Sequence, residues 1–470
     1  MWTILAIFFL QFADKVGAER VCLSETAIEK REARGIAIDL LDYEVSSVYL
    51  DSVRSIGAKV IHTSRWINGA TVEANDEAIR AIEKCGFVDT IYLTRMEPTE
   101  QAFDIPSISF RKRIIAEDTL PDAPLPVASI EQLDQLNLLP LHQAGYKGKG
   151  IRIGIADGGF YNADSLAVLP QKQWLGYADF TDDEDDFFGS TGNHGTLCLT
   201  AIIAETADYQ GTATEAEYFL FRTEEHSTES PKEIDNWVAA IEMADSLGLD
   251  IVSTSLGYTT FDDERFNFAY ADMDGRSSRG AQAAIIAARK GMLLIVAAGN
   301  DGNKAWHYLS TPADADSILT VGAVDIDRTI ANFSSFGPSA DGRIKPEICA
   351  VGKQTILLNP SNDEIMKGNG TSFACPLVAG MAACLWSALP HASNMEIRER
   401  IIRSSDRYST PHEQYGYGIP DAWQAYTSIY SEVKNIQINS ERACKQIIDG
   451  QLRILYQGKT YNCIEKKLWF

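Results

Sequence analysis

Basic residues are scarce in this chain of 470. Lys plus Arg number 42 against 65 Asp plus Glu, a formal net charge of −23. A polyanionic partner needs a basic face to meet its phosphates, so this balance argues against nucleic acid. Cysteine is scarce too. Eight residues are scattered along the chain without a C-x-x-C pair, which excludes a disulfide scaffold and offers no zinc-like spacing. Beyond residue 10 no apolar run approaches the ~20 residues that cross a bilayer, so no transmembrane helix is expected. What is present is ordinary for folded protein: 45% hydrophobic, 10% aromatic and 23% charged residues. That suffices for one large core plus a smaller one. At about 150 residues per domain, the length predicts two or three domains.

Trp2 to Leu10 is an apolar run of signal-peptide length, and Val16-Gly17-Ala18 offers a small-residue cleavage site. Residues 1–18 are therefore expected to be a signal peptide. The alternative is a first β-strand, because no Lys or Arg precedes the run. Residues 19–95 read as a small α+β unit. Helices are expected over Ser24 to Arg34, Val45 to Ile56 and Asp76 to Lys84, with strands from Lys59, Gly69 and Val88. This pattern suits an antiparallel sheet covered by helices. Residues 96–140 are proline-rich and hold the basic triplet Arg111-Lys112-Arg113, so they read as a linker with a candidate processing site.

From 141 to 430 short apolar strands alternate with longer helical segments, as in Ile151 to Ala156, Glu217 to Phe221, Asp250 to Thr254, Met292 to Ala297 and Ile318 to Gly322. Strand, helix, strand implies right-handed crossovers and an α/β fold with a doubly wound, mostly parallel sheet. Residues 431–470 alternate again and predict a short β-rich segment turning at Gln457-Gly458.

Ligands of open α/β sheets meet the carboxyl ends of the strands. Asp157 follows the first of these strands, Ser255-Leu256-Gly257 a later one, and Gly299-Asn300 the strand that ends in Ala297-Ala298. Two helix starts complete the set. Asn193-His194-Gly195-Thr196 opens one, and Gly370-Thr371-Ser372-Phe-Ala-Cys-Pro376 opens the other, which puts Ser372 where backbone N–H groups stabilise negative charge. Pro376 is expected in the first turn, where its missing N–H has no partner. Taken alone, Asp and Asn at strand ends are turn residues and Ser372 is a helix cap. Their convergence on one sheet edge points to chemistry.

These ordered motifs resemble those of the subtilisin-like serine peptidases: an Asp at a strand end, His-Gly-Thr, Ala-Ala-Gly-Asn and Gly-Thr-Ser-x-Ala-x-Pro, here around Asp157, His194, Asn300 and Ser372. Residues 19–95 resemble the family's inhibitory propeptide, with Trp66-Ile-Asn-Gly-Ala-Thr-Val-Glu as its central strand. The Asp157-Gly-Gly-Phe160 form resembles a Bacteroidetes-type branch. The resemblance implies a secreted or cell-envelope serine endopeptidase of a bacterium, processed by itself, with its own propeptide as intramolecular inhibitor and a polypeptide as substrate. In it Ser372 is the nucleophile, His194 the base, Asp157 the residue that orients the base, and Asn300 an oxyanion donor. Ser255, Leu256 and Gly257 would pair with extended substrate, and Ala297, Ala298 and Gly299 would line the side-chain pocket with the Trp306 to Leu309 region.

No cofactor is required. The family often binds calcium, but Asp182-Asp-Glu-Asp-Asp186 and Asp272-Met-Asp274 lack alternating ligand spacing and stay unassigned. Cys198, Cys349, Cys375 and Cys384 read as core residues, and Cys444 with Cys463 as a pair that an oxidising compartment could join. Two other functions compete. A catalytically silent peptide-binding relative would normally have lost a member of the triad, and none is missing. A dinucleotide-binding oxidoreductase needs G-x-G-x-x-G after a strand, whereas Gly148-Lys-Gly150 precedes one.

Overall fold

The computed structural model describes residues 5–96, 128–181, 186–189 and 192–428, and the backbone of three strands between 443 and 462. The first unit begins with strand β1 (Leu5–Phe12), helices α1 (Glu25–Arg34) and α2 (Ser47–Ser55), strands β2 (Lys59–Ser64) and β3 (Gly69–Asn75), helix α3 (Asp76–Ile82) and strand β4 (Val88–Met96). The four strands form an antiparallel sheet in the order β2-β3-β1-β4. Capping starts α1 and ends it. Ser24 accepts from the Ala27 N–H, and Gly35, at φ 66°, donates to the carbonyls of Arg31 and Glu32. Leu10, Phe12, Val53, Val72, Ile79 and Ile82 fill the core beneath.

The N-terminal apolar run is corrected here. It is an inner strand of this sheet, hydrogen-bonded on both edges to β3 and β4, with Ile7, Phe9 and Leu10 buried. Cleavage near residue 18 would remove that strand. A leader and a strand buried on both sides are both unbroken apolar runs, so periodicity does not separate them.

The larger part is built on a seven-stranded sheet in the order β11-β10-β9-β8-β5-β7-β6, every adjacent pair parallel. Two short helices, α4 (Ile130–Gln135) and α5 (Leu139–Gln143), lead into β5 (Arg152–Asp157). There follow β6 (Trp174–Asp179), α6 (His194–Ile203), β7 (Glu217–Arg222), α7 (Lys232–Leu247), β8 (Ile251–Thr254), α8 (Arg279–Arg289), β9 (Leu293–Ala297), β10 (Leu319–Val324) and β11 (Ile348–Val351). After a small antiparallel pair, β12 (Thr355–Leu358) and β13 (Ile365–Gly368), come α9 (Thr371–Ala388), α10 (Asn394–Arg403) and α11 (Ala422–Thr427).

Alternation within the strands divides the core in two. Ile153, Ile155, Leu220, Ile251, Leu293 and Ile295 face α6 and α9, whereas Ala156, Phe221, Val252, Leu294 and Val296 face α7 and α8. Helix α9 is apolar and long enough to cross a bilayer, yet 89% of it is buried inside this fold, so it is a core helix. A second unit, residues 428–470, contains an antiparallel meander of β14 (Ala443–Ile448), β15 (Gln451–Tyr456) and β16 (Lys459–Asn462). Register pairs Tyr456 with Lys459, the facing ends of β15 and β16, and the turn expected at Gln457-Gly458 lies outside the described residues. The acidic run 182–185, the basic triplet 111–113 and Cys463 lie outside the described residues, and so does the side chain of Cys444.

The first sheet packs on the α7 side of the large one through ion pairs. Arg31 reaches both oxygens of Asp245 at 2.7 Å, Arg65 reaches the same residue at 2.8 Å, and Lys290 holds Asp39 and Asp42 at 2.8 Å. Asp250 receives Lys30 at 2.6 Å and Arg34 at 2.5 Å. Glu242 accepts from the Arg65 and Trp66 N–H groups at 2.9 and 3.1 Å, so the turn between β2 and β3 rests on α7. Burial pushes the Glu242 carboxyl up, although Arg65 and these donors oppose it. Burial acts the same way on Asp42, but Lys290, the Asp39 N–H and Arg31 outweigh it and hold that carboxyl below its usual value.

Candidate active site

The carboxyl ends of β5 and β9 and the starts of α6 and α9 converge on one cleft. Asp157, the last residue of β5, is fully buried, and its Oδ1 accepts from the Gly158 N–H at 2.8 Å. His194 opens α6, and its Nδ1 lies 2.8 and 3.0 Å from Asp157 Oδ1 and Oδ2. With Nδ1 directed at the carboxylate, Nε2 is the ring nitrogen left to accept a proton. Gly195 permits this approach, because a Cβ there would stand 2.6 Å from the Gly159 carbonyl oxygen and 2.9 Å from Asp157 Cβ.

Ser372 is the second residue of α9, where the helix offers its N–H no acceptor. Ser372 and His194 line the same cleft of about 500 Å³, with Ser255, Leu256, Gly257, Ala297, Gly299, Asn300 and Thr371. A Cβ built on Gly370 would lie 2.6 Å from Ser372 Oγ and 3.8 Å from Asn300 Nδ2, so hydroxyl and amide stand on the same side of the loop. Among the described residues His194 is hydrogen-bonded to Asp157 and not to Ser372 Oγ, and in free enzymes the nucleophile–base contact is commonly longer than in complexes.

Thr371, which the sequence reading left without a role, sets the direction of Asn300. Its N–H donates to Asn300 Oδ1 at 2.9 Å, and its Oγ1 lies 3.1 Å from that oxygen. With Oδ1 engaged, Nδ2 is the end of the amide that faces the cleft. A Thr wedged between Gly370 and Ser372 was the only available signal.

Pro376 needs correction. It lies in the second turn of α9, so the N–H it lacks would have bonded to the carbonyl of Ser372. That freed oxygen accepts from Ser255 Oγ at 2.8 Å and from Cys198 Sγ at 3.3 Å. The Ser255 hydroxyl is thus turned to the start of α9. Cys198 and Cys375 are fully buried, and burial pushes both thiols up, the latter to about 12. Both are inert packing groups, as expected.

Two parts of the expected pocket are placed otherwise. Ala298 packs into the core against the α7 side, with its N–H on the Val321 carbonyl, so its side chain does not reach the cleft. In place of the Trp306 to Leu309 region, Ser310 lines the cleft. Leu309 is buried, and the Trp306 indole donates to the Leu309 carbonyl at 3.1 Å.

For calcium, Asp272 and Asp274 do not fit. Asp272 accepts from the Ala269 N–H, and Asp274 from Arg276 and Ser277, so both close turns. Glu224, Glu229 and Glu233 bring carboxylate oxygens within 4.8 Å of one another. Glu233, however, is spent on the N–H groups of Glu225 and Ser230, and Glu224 accepts from the Tyr258 hydroxyl at 2.6 Å. Burial and the neighbouring carboxylates push Glu233 well up, toward its neutral form. This is a hydrogen-bonded cluster rather than an oxygen cage of six to eight ligands.

Residues 148–418 match the model of the subtilase family, peptidase S8. The chain belongs to the subtilase family. Residues 8–105 match the peptidase S8 propeptide domain of Bacteroidota, a span that begins inside β1. The subtilase is 30% identical to subtilisin DY of Bacillus licheniformis over 281 residues, 58% of this chain and 90% of that protein. It is 27% identical to the serine protease AprX of Bacillus subtilis over 307 residues, 58% of this chain and 66% of that one. The crystal structure of MycP1 from the ESX-1 type VII secretion system superposes with a TM-score of 0.52 at 20% identity, covering 67% of this chain and 90% of that one. At that identity the likeness establishes the fold alone.

Proposed function

We propose that this subtilase is an exported serine endopeptidase acting through Asp157, His194 and Ser372, with Asn300 in the oxyanion hole. Ser372 Oγ attacks the substrate carbonyl carbon as His194 Nε2 takes its proton. Asp157 keeps the proton of the ring on Nδ1 and stabilises the imidazolium. The charge that develops on the carbonyl oxygen falls between Asn300 Nδ2 and the Ser372 N–H. His194 then returns its proton to the leaving amine, and water repeats the sequence on the acyl-enzyme. The nucleophile, base and donors all come from the chain, so the chemistry requires no cofactor. The observation that carries the reading is the Asp157–His194 hydrogen bond, made by a ring that lines the same cleft as Ser372.

The unit preceding residue 96 acts as intramolecular inhibitor, released by cleavage between 96 and 140, a span that holds Arg111-Lys112-Arg113. An extracellular or envelope location fits a latent enzyme whose substrates are other polypeptides, and the matched relatives include a minor extracellular protease of Bacillus subtilis. A fluorophosphonate probe is expected to label wild type but not Ser372→Ala. Peptide hydrolysis should fall by about 10⁴-fold or more in the variant, and N-terminal sequencing should find it uncleaved. Peptide binding by wild type with neither labelling nor turnover would instead identify a silent binding protein.

A further inference from the structure

Helix α1 belongs to the first unit, yet none of its residues enters the core beneath that unit's sheet. Along its length only Ala27 and Arg31 are buried, and both are buried against the large body. Ala27, Lys30, Arg31 and Arg34 recur at the spacing of a single helical face. Three of the four are cations, where the packing face of a helix is ordinarily apolar.

That face is seated on the amino edge of the seven-stranded sheet. Ala27 lies over the turn that ends α7, where a Cβ on Gly248, at φ 72°, would stand 3.0 Å from Ala27 Cα and N. Ile36, just past α1, lies over the turn that follows α8, where a Cβ on Gly291, at φ 92°, would stand 2.5 Å from Ile36 Cδ1. Lys30 donates to the Gly248 carbonyl at 2.9 Å and to Asp250 at 2.6 Å. Arg34 donates to the Gly291 carbonyl at 3.2 Å and to Asp250 at 2.5 Å, and its guanidinium lies 4.7 Å above the ring of Trp386. Two glycine turns, a buried carboxylate and an indole face thus form one built seat.

The seat is remote from the cleft. Asp250 and Gly291 precede β8 and β9, whereas Ser255 and Gly299 follow them, so a strand's length of about 15 Å intervenes. Trp386 stands about 20 Å along α9 from Ser372. The same unit reaches the carboxyl edge by a different element, the end of β4, where Arg95 donates to Glu225 at 2.5 Å just beyond β7. Two contacts at opposite edges make a bivalent ligand: while one holds, the other re-forms at high effective concentration.

Resting on the inhibitor reading above, we infer that the amino edge of the sheet is a second binding site for the inhibitory unit, a seat for the basic face of α1. This seat, in addition to the cleft, sets how long the unit stays once the linker is cut. What it recognises is a helix face with a small residue followed three, four and seven positions on by cations.

The full-length protein is compared as wild type, as Lys30→Ala with Arg34→Ala, and as Arg34→Met, a milder variant that keeps a stem over Trp386. After processing, gel filtration follows co-elution of the cleaved unit with the catalytic body, and peptide hydrolysis gives the lag before activity. The double variant should shorten the lag by about tenfold or more, and Arg34→Met by about threefold. The final kcat/KM should not move, because α1 is absent from the released enzyme. Added salt should shorten the lag of wild type more than that of the double variant, which has fewer interfacial charges left to screen. A lag unchanged in both variants, or a cleaved unit that co-elutes as long in the double variant as in wild type, overturns the seat. Should the double variant yield no folded protein, the lag of Arg34→Met decides. Failure of the fluorophosphonate to label wild type at any time overturns the peptidase reading itself, so the two failures are distinguishable.

Discussion

Two bodies pack against the parallel sheet, and they are held in different ways. Helix α9 lies on one face with Leu377, Val378, Met381, Leu385 and Trp386 in the core and no charged residue along its length. The propeptide lies on the opposite side and contributes Phe9, Trp66 and Ile67 to the apolar core there. Around that patch stand Arg31, Asp42, Arg65, Glu242, Asp245, Asp250 and Lys290, paired and mostly buried. Apolar surface laid bare by separation is penalised in full by water, whereas a separated ion pair regains its hydration. One contact is made for permanence. The other is specific while it lasts and tolerable to lose, which is what the proposed release of the propeptide requires.

The sharpest way to break this comparison is at Asp245, which serves Arg31 and Arg65 together. In an intact, uncleaved Ser372→Ala background, Asp245→Ala should destabilise the docked propeptide by about 2–3 kcal/mol, because two buried guanidinium groups lose a shared partner, Arg31 keeping only Asp42 and Arg65 only Glu242. Replacing Arg31 by Met together with Asp245 by Leu should restore part of that stability, since one of the two orphaned cations is removed, and, with Ser372 present, should delay the onset of activity after processing. Denaturant unfolding checks the first claim and a lag in peptide hydrolysis the second. Restored stability without a longer lag would mean that the charges do not govern release.

A smaller effect is expected inside the permanent contact. Pro376→Ala gives α9 an N–H that competes with Ser255 for the Ser372 carbonyl. The nucleophile's turn should shift, lowering kcat by about tenfold with KM little changed. Smallest is the response to acid. Asp42 is held below its ordinary carboxylate value, so its stabilisation is complete above about pH 4 and is lost as pH falls through its depressed value in the fold. Glu242, pushed up, works the other way. Propeptide dissociation should therefore accelerate below about pH 4 in wild type, and less so in Asp42→Asn.

Much of the site was legible without coordinates because it is built from strand ends and helix starts. Asp157, His194, Asn300 and Ser372 each follow a local pattern that ends one element or begins another, and a parallel sheet brings such ends to one edge. Ala297 and Ala298 show where legibility stops. They are identical neighbours in the sequence, but the strand pleat sends one to the cleft and the other into the core.

By itself the sequence determined the parallel architecture, the order of the motifs and the chemical nature of the residues that meet, since these depend on local pattern and on the handedness of crossovers. Only the tertiary structure decided that residues 5–12 are an inner strand, that the Ser372 carbonyl is released by Pro376 to Ser255 and Cys198, and that Ser310 rather than the Trp306 to Leu309 region lines the cleft. Each of these depends on a partner dozens of residues away, and a partner at that distance leaves no periodic trace in the segment it acts upon.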